Sequence, residues 1–288
     1  MKLARSPQEL GEGPRAVALG TFDGVHLGHR RVIETALEAG SEPTVVTFDP
    51  HPRTAFGNRV ELLTTLERRL ELLEELGVEA ALVVEFTLQL ARLEPEQFAE
   101  EVLRPIGADV VVAGADFRFG RGRTGDLELL SSLGFDVRPV PLVEGVSSSR
   151  IRDLVRAGDV EGAAKLLGRP VEVEGTVDTG EARGGTLGFP TANLDVRPEL
   201  LVPGNGIYAG AAAGHRAAVS IGTNPHYGGH QRRVEAYLLD FSGDLYGQRL
   251  VVELWRRLRD EQAFETESDL IEQIRADVEL ARQAKPPA

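Results

Sequence analysis

A change of periodicity near residue 168 constrains this chain more than any other feature. Before it, short apolar runs alternate with helical patterns. The strand-like runs are 16–19, 44–48, 80–84, 110–113 and 137–140, apolar on both faces as buried parallel strands are. The clearest helical pattern is 65–76, TLERRLELLEEL, with Leu66, Leu70, Leu73 and Leu76 on one stripe and Gly77 as its stop. A second spans 96–103, with Phe98, Val102 and Leu103 inward. Alternation of this kind predicts a parallel sheet with helices on both faces. Two short helical patterns, IRDLVRAG and VEGAAKLLG, follow Ser148. After Arg169–Pro170 the chain turns to period-two alternation, with strand-like stretches near 171–176, 207–212, 217–221, 233–239 and 248–255 and no helices between them. That pattern predicts a small antiparallel barrel, closed by a last helix over about 268–282. From Gly168 to Gly229 there are 13 glycines in 62 residues, about three times average usage, as tight turns and backbone laid against a ligand require. The expected division is 1–168 and 169–288, and 288 residues accommodate two domains of ordinary size.

Composition narrows the chemistry. The chain has no cysteine, which excludes disulfides, thiolate catalysis and cysteine-ligated metal. With 32 basic and 45 acidic residues, the net charge of −13 disfavours attraction to nucleic acid or anionic membrane. No apolar run approaches the ~20 residues of a membrane span, and MKLARSPQELGEGPR has no signal-like apolar core. The expectation is a cytoplasmic protein acting on small molecules, a monomer or weak homo-oligomer.

Residues 20–30 read GTFDGVHLGHR between an apolar strand and a helix. A strand-to-helix turn of a parallel sheet lies at the carboxyl edge, where ligands bind, and the helix N-terminus favours phosphate. His26 and His29, three apart across Gly28, can donate hydrogen bonds to a triphosphate and stabilise a departing pyrophosphate. A zinc pair is the weaker reading, His51 being the one nearby candidate for a third ligand. GRGRTG at 120–125 satisfies a dinucleotide pattern but lies late in the domain, with arginines at its variable positions. The larger segment GADFRFGRGRTGD carries Arg118, Arg121 and Arg123, a solvated loop or an offset for substrate phosphates. Phe117 and Phe119 either pack or stack on a ring. In VSSSRIR (146–152) the hydroxyls read as helix caps, and the arginine can also face a phosphate. With three lysines, Lys2, Lys165 and Lys285, none in a P-loop pattern, any ATP chemistry uses another device.

In the second half, GEARGGTLGFPTANL (180–194) reads as a glycine-rich flap followed by a strand start. Thr191 and Asn193 alternate with Ala192, so both side chains share a face. They are hard oxygen ligands for Mg²⁺ or simply turn caps. Glu235 is the charged residue within the apolar strand VEAYLL, with Arg233 and Tyr237 on its face. Spacing alone favours an ion pair with Arg233 over a general base.

Taken in order, GTFDGVHLGHR, TFDPHPR, LTTLERR, GADFRFGRGRTGD, VSSSRIR, GDVEGAAKLLGRP, GFPTANL, GIYAG, SIGTNP, VEAYLLDFSGDLYG and LRDEQAF resemble one family over nearly the whole chain. It is the bifunctional riboflavin kinase/FMN adenylyltransferase family, also called FAD synthetase. The resemblance implies an α/β fold, with an N-terminal Rossmann-like nucleotidyltransferase domain on a parallel sheet and a C-terminal riboflavin kinase-like antiparallel β-barrel with a terminal helix. In the first domain it implies a catalytic role for His26 and His29 and nucleotide contacts at Gly20, Phe22, Asp23, Gly28, Ser147, Ser148 and Arg150. Asp116 and Phe117 would line the flavin side. In the second it implies ATP contacts at Gly180, Arg183, Gly188, Thr191 and Asn193. Mg²⁺ would sit on Thr191 and Asn193, Glu235 would be the general base, and Arg259 would contact flavin. Gly185 and Thr179 stand where the family commonly has basic residues, which implies a working kinase with a raised KM for ATP. The alternative is a single-activity FMN adenylyltransferase with an impaired flap.

Overall fold

The computed structural model describes residues 1–178, 189–223 and 232–287. By contacts the chain divides into two compact units, Met1–Ser148 and Ser149–Ala288. In the first, β1 (Lys2–Ala4) and α1 (Pro7–Leu10) precede β2 (Arg15–Leu19), α2 (Leu27–Leu37), β3 (Glu42–Asp49), α3 (Pro52–Ala55), α4 (Leu66–Glu75), β4 (Ala80–Glu85), α5 (Pro95–Phe98), β5 (Ala108–Gly114), α6 (Leu127–Ser132) and β6 (Asp136–Val140). The strands form a six-stranded sheet in the order β1-β4-β3-β2-β5-β6, with every pairing parallel. Chain order runs outward one way through β2, β3 and β4 and the other way through β5 and β6. The order reverses between β2 and β5, and the crevice at their carboxyl ends is where such sheets take ligands.

Burial explains the doubly apolar strands. Val17 and Leu19 face one core with Phe48, Leu82, Phe98, Leu103 and Val111; Ala16 and Ala18 face the other with Ile33, Val45, Leu73 and Val112. Helix α4 starts one residue inside the expected span, because Thr65 is its N-cap, its hydroxyl accepting from the Arg68 N–H at 3.0 Å. Its fully buried positions are Arg69, Leu72 and Leu73; Leu66, Leu70 and Leu76 are half-buried. The pattern expected as one helix over 96–103 is α5 followed by a π-helical turn over 99–103, where the Arg104 N–H reaches the Ala99 carbonyl at 2.9 Å. Phe98, Val102 and Leu103 are buried, as that stripe predicts.

In the second unit come α7 (Ser148–Ala157), α8 (Val160–Leu167), then β7 (Val171–Asp178), β8 (Ala192–Asp195), β9 (Gly206–Ala212), β10 (His215–Thr223), β11 (Arg232–Leu238), β12 (Arg249–Arg259) and α9 (Glu267–Gln283). The strands close into a barrel in the order β10-β11-β8-β7-β12-β9, each pairing antiparallel. Val173, Val177, Leu194, Val219, Ile221, Val234, Ala236, Val252 and Leu254 fill it. Helix α8 packs on β7 and β12 and ends at the left-handed Gly168 (φ 69°), the expected boundary, so by packing the residues from 149 onward go with the barrel.

Candidate active site

The turn after β2 is held in an unfavourable backbone. Phe22 and Val25 have φ of 51° and 39°, a region that costs a non-glycine residue about 1–3 kcal/mol. Asp23 offsets that cost. Its buried carboxylate accepts from the Leu63 N–H at 2.9 Å, the Thr64 N–H at 3.1 Å and the Thr64 hydroxyl at 3.4 Å. Asp23 therefore organises the turn from beneath, and it is not part of the cleft lining that its neighbours Phe22 and His26 form. Behind it, Arg69 is 1 % exposed and donates to the Phe48 carbonyl at 3.3 Å. Burial pushes the pKa of this guanidinium down, and the carboxylates of Asp23 and Asp49 act against that shift.

The turn delivers His26 as N-cap of α2, its Nδ1 accepting from the His29 N–H at 3.3 Å. The two imidazoles stack with centroids 3.5 Å apart and 15° between planes, and Phe22 sets its ring edgewise to His29 at 5.3 Å. Gly28 permits the stack: a Cβ there would lie 3.2 Å from the His26 ring. The pair faces a cleft of about 780 Å³ lying at the carboxyl ends of β2 and β5, where the sheet order reverses. Gly20, Phe22, His26, Gly28 and His29 line it from one side, and Asp116, Phe117, Ser147 and Ser148 from others. The Ser148 hydroxyl also donates to the Asp23 carbonyl at 3.4 Å, which ties that segment to the histidine turn. Arg150, on α7, is exposed and is not part of the cleft lining.

Two arrangements refine the sequence expectations. His51 caps α3, its Nδ1 accepting from the Arg53 N–H at 3.2 Å, and no group of three or more metal-ligating side chains occurs among the described residues. Of the three loop arginines, Arg121 pairs with Glu94 at 2.7 Å outside the cleft; Arg118 and Arg123 both line it, Arg118 paired with Asp126 at 2.9 Å and Arg123 without an ion pair among the described residues. Arg53 lines it too, with no signal in the sequence to mark it: it follows α3's proline in the PHPR block, a place where a surface arginine is ordinary.

On the barrel, register assembles the second set. Asn193 of β8 stands opposite Glu235 of β11 and, on its other side, opposite Asp178 of β7; Glu235 stands opposite Ser220. Directly opposed residues share a face. Because Ala192, Leu194, Val234 and Ala236 are the buried neighbours, this row lies on the outer face of the barrel. Thr191 precedes β8 in phase with Asn193, whose amide donates to the Thr191 carbonyl at 3.5 Å. The hydroxyl and the amide oxygen are neutral hard donors, a set that fits Mg²⁺ carried by a polyphosphate. Glu235 is half-buried and accepts from the Arg233 guanidinium at 3.2 Å, the ion pair that spacing alone favours. Tyr237, next on that face, meets Phe189 edgewise at 5.4 Å. Arg259 joins the barrel to α9: its Nε and Nη2 donate to the buried carboxylate of Asp277 on α9 at 3.0 and 2.6 Å, and its Nη1 to the Asp260 carbonyl at 2.8 Å. Gly180, Arg183 and Gly188, with the departures at Thr179 and Gly185, lie outside the described residues.

The comparisons with known proteins agree with both halves. The FAD synthetase family matches residues 10–151 and the riboflavin kinase family residues 167–285. A bifunctional riboflavin kinase/FMN adenylyltransferase of Listeria monocytogenes is 36 % identical over 93 % of this chain and 91 % of its own. The protein of the same description from Escherichia coli K12 is 34 % identical over 98 % and 97 %. A crystal structure from Streptococcus pneumoniae, described as a macrolide-efflux protein, is 31 % identical and superposes with a TM-score of 0.89 over 98 % of this chain and 99 % of that one. No helix among the described residues here is long and apolar enough to cross a membrane. On motif order, fold and whole-length similarity, the chain belongs to the bifunctional riboflavin kinase/FMN adenylyltransferase family.

Proposed function

We propose a division of labour in which the N-terminal residues to about 168 carry adenylyl transfer and the remainder carries phosphoryl transfer. The chain phosphorylates riboflavin to FMN with ATP and adenylylates FMN to FAD with release of pyrophosphate. The observation that carries the division is that the two family matches fall on different parts of the chain, each with its own constellation of functional side chains. A kinase-deficient reading is not favoured, since the riboflavin kinase match spans the barrel, whose outer face carries Asn193 on β8 and Glu235 on β11 with Thr191 just before β8.

In the first reaction set, a phosphate oxygen of FMN attacks the α-phosphorus of ATP, and the bond to the bridging oxygen of pyrophosphate breaks. No covalent enzyme intermediate is needed. His26 and His29, at the positive end of α2, donate hydrogen bonds to the phosphates as charge moves onto the leaving group. Ser147 and Ser148 steady the nucleotide across the cleft. In the second, the ribityl 5′-hydroxyl attacks the γ-phosphorus of ATP, ADP leaves, and Glu235 accepts the hydroxyl proton on the oxygen not held by Arg233. Thr191 and Asn193 would hold Mg²⁺, which when bound neutralises charge on the phosphates. We place the protein in the cytoplasm, where both nucleotides are made and used.

The test is a time course of purified protein with riboflavin, ATP and Mg²⁺, the flavins being separated by chromatography. FMN first and FAD later is the expected outcome. FAD from added FMN but nothing from riboflavin would remove the kinase assignment.

A further inference from the structure

We infer that Arg123, assisted by Arg53, receives the phosphate of the incoming flavin nucleotide and gives the cleft its preference for FMN over riboflavin. The inference rests on the adenylyltransferase reading above.

The loop that presents Arg123 is fixed. Phe119 and Gly125 exchange backbone hydrogen bonds at 3.0 Å in both directions, and the Arg121 N–H reaches the Leu93 carbonyl at 2.8 Å. Gly120, at φ 71°, lies so close to Pro95 that a Cβ would stand 2.6 Å from its ring. On this frame Arg123 is a non-glycine residue at φ 61°, in the left-handed region. Strain of that kind persists where the surroundings over-determine it and clusters at ligand sites.

Charge distinguishes the three arginines of the loop. Arg118 and Arg121 are neutralised by Asp126 and Glu94. Arg123 keeps its full charge toward the cleft, and in a chain of net charge −13 an unneutralised guanidinium facing a cavity is a placed charge. Arg53 comes from the opposite side in strand order. It follows β3 and Arg123 follows β5, with the histidine turn following β2 between them. ATP phosphates belong at the central turn and its helix N-terminus. The flanking arginines are therefore left for the second phosphorylated substrate. Aromatic rings accompany both: Phe56 sits three residues from Arg53, and Phe117 and Phe119 stand nearly parallel, 5.9 Å apart, beside Arg123. Ring faces next to a guanidinium suit a flat flavin whose chain ends in a phosphate dianion.

The experiment measures conversion of FMN to FAD by the full chain as FMN and ATP are varied separately. Arg123→Ala is expected to raise KM for FMN about tenfold, with kcat and KM for ATP within about twofold, the size of one charge-assisted contact at an exposed site. Arg53→Ala should act in the same direction. Arg123→Lys should recover part of the loss, a point charge replacing a fork. Arg121→Ala, which removes a paired arginine outside the cleft, should change nothing. Retained kcat and KM for ATP in the same assay, with an unchanged circular dichroism spectrum, report that the first unit is folded in each variant. An unchanged KM for FMN in Arg123→Ala, or a rise in KM for ATP alone, overturns the inference while leaving the adenylyltransferase reading intact. Wild-type protein that makes no FAD from FMN overturns both.

Discussion

Arg69 bears a burden that its position in the sequence conceals. In TLERRLELLEEL it reads as one of a pair of surface arginines, yet it is 1 % exposed, whereas its neighbour Arg68 lies along the outside and pairs with Glu71 and Glu75. The guanidinium sits within the fields of Asp23 and Asp49, and Asp23 is the residue that latches the histidine turn to Leu63 and Thr64. Removing one partner of a buried charged set leaves the others uncompensated, at a cost of about 3–5 kcal/mol. Arg69→Met is therefore expected to lower the denaturation midpoint of the first unit by roughly 10 °C, followed by circular dichroism. It should also depress FMN-to-FAD conversion more than riboflavin phosphorylation. A variant as stable as wild type would show that Arg69 is not holding these carboxylates. Sequence reasoning finds His26 and His29 because strand, turn and helix N-terminus are all written around them. It misses Arg69 and Arg53 because an arginine's burial is decided by where distant aspartates and loops arrive.

Elements were legible in proportion to their length and periodicity. The four central strands of the sheet are apolar on both faces and announce themselves, and β6 is legible at one edge although only Val140 of it is buried; β1, three residues long, is not legible, and it exists because it pairs with β4 at the other edge. The π-helical turn after α5 could not be read, since one extra residue per turn leaves Phe98, Val102 and Leu103 on the same buried side. Alternation placed Glu235 and Asn193 on the polar faces of their strands, but only pairing register shows that they stand opposite one another. Helix α9 was visible as an apolar stripe, and its anchor was not: Asp277 is buried and takes a two-point grip on Arg259 at the end of β12, supported by the Gln273 amide at 3.0 Å. The arginine that resembles a flavin contact by its sequence block thus also fastens a helix. Asp277→Asn removes the negative charge of a largely buried bridge and leaves the Arg259 cation uncompensated, a loss of about 3 kcal/mol. The second unit should then melt roughly 5–10 °C lower in a calorimeter. If Arg259 also guides flavin, KM for riboflavin will rise in the same variant; if its role is fastening alone, kinetics below the melting range will stay at wild-type values.

At the scale of the whole molecule, two chemistries are strung on one chain through a shared compound: on the proposed division, FMN is the product of the barrel and a substrate of the cleft. The histidine pair rests on α2 and Asp23, and the Asn193–Glu235 row on barrel register, so each rests on elements of its own unit. Separable sites make a sharp expectation about mixtures. His29→Ala removes a donor to the phosphates, worth a 10²–10³-fold loss in comparable charge-stabilising contacts, and should convert riboflavin to FMN and stop there. Glu235→Gln removes the proton acceptor, worth about 10²–10⁴-fold, and should leave riboflavin untouched while still adenylylating added FMN. Combined in one tube with riboflavin and ATP, the two variants should restore FAD. The restoration should follow a lag during which free FMN rises to the range of the cleft's KM, and should quicken with the concentration of the Glu235→Gln partner. FAD absent from the mixture, with each variant retaining its own half-reaction, would mean that FMN does not leave the chain that makes it, and that the two sites act on it in succession without release.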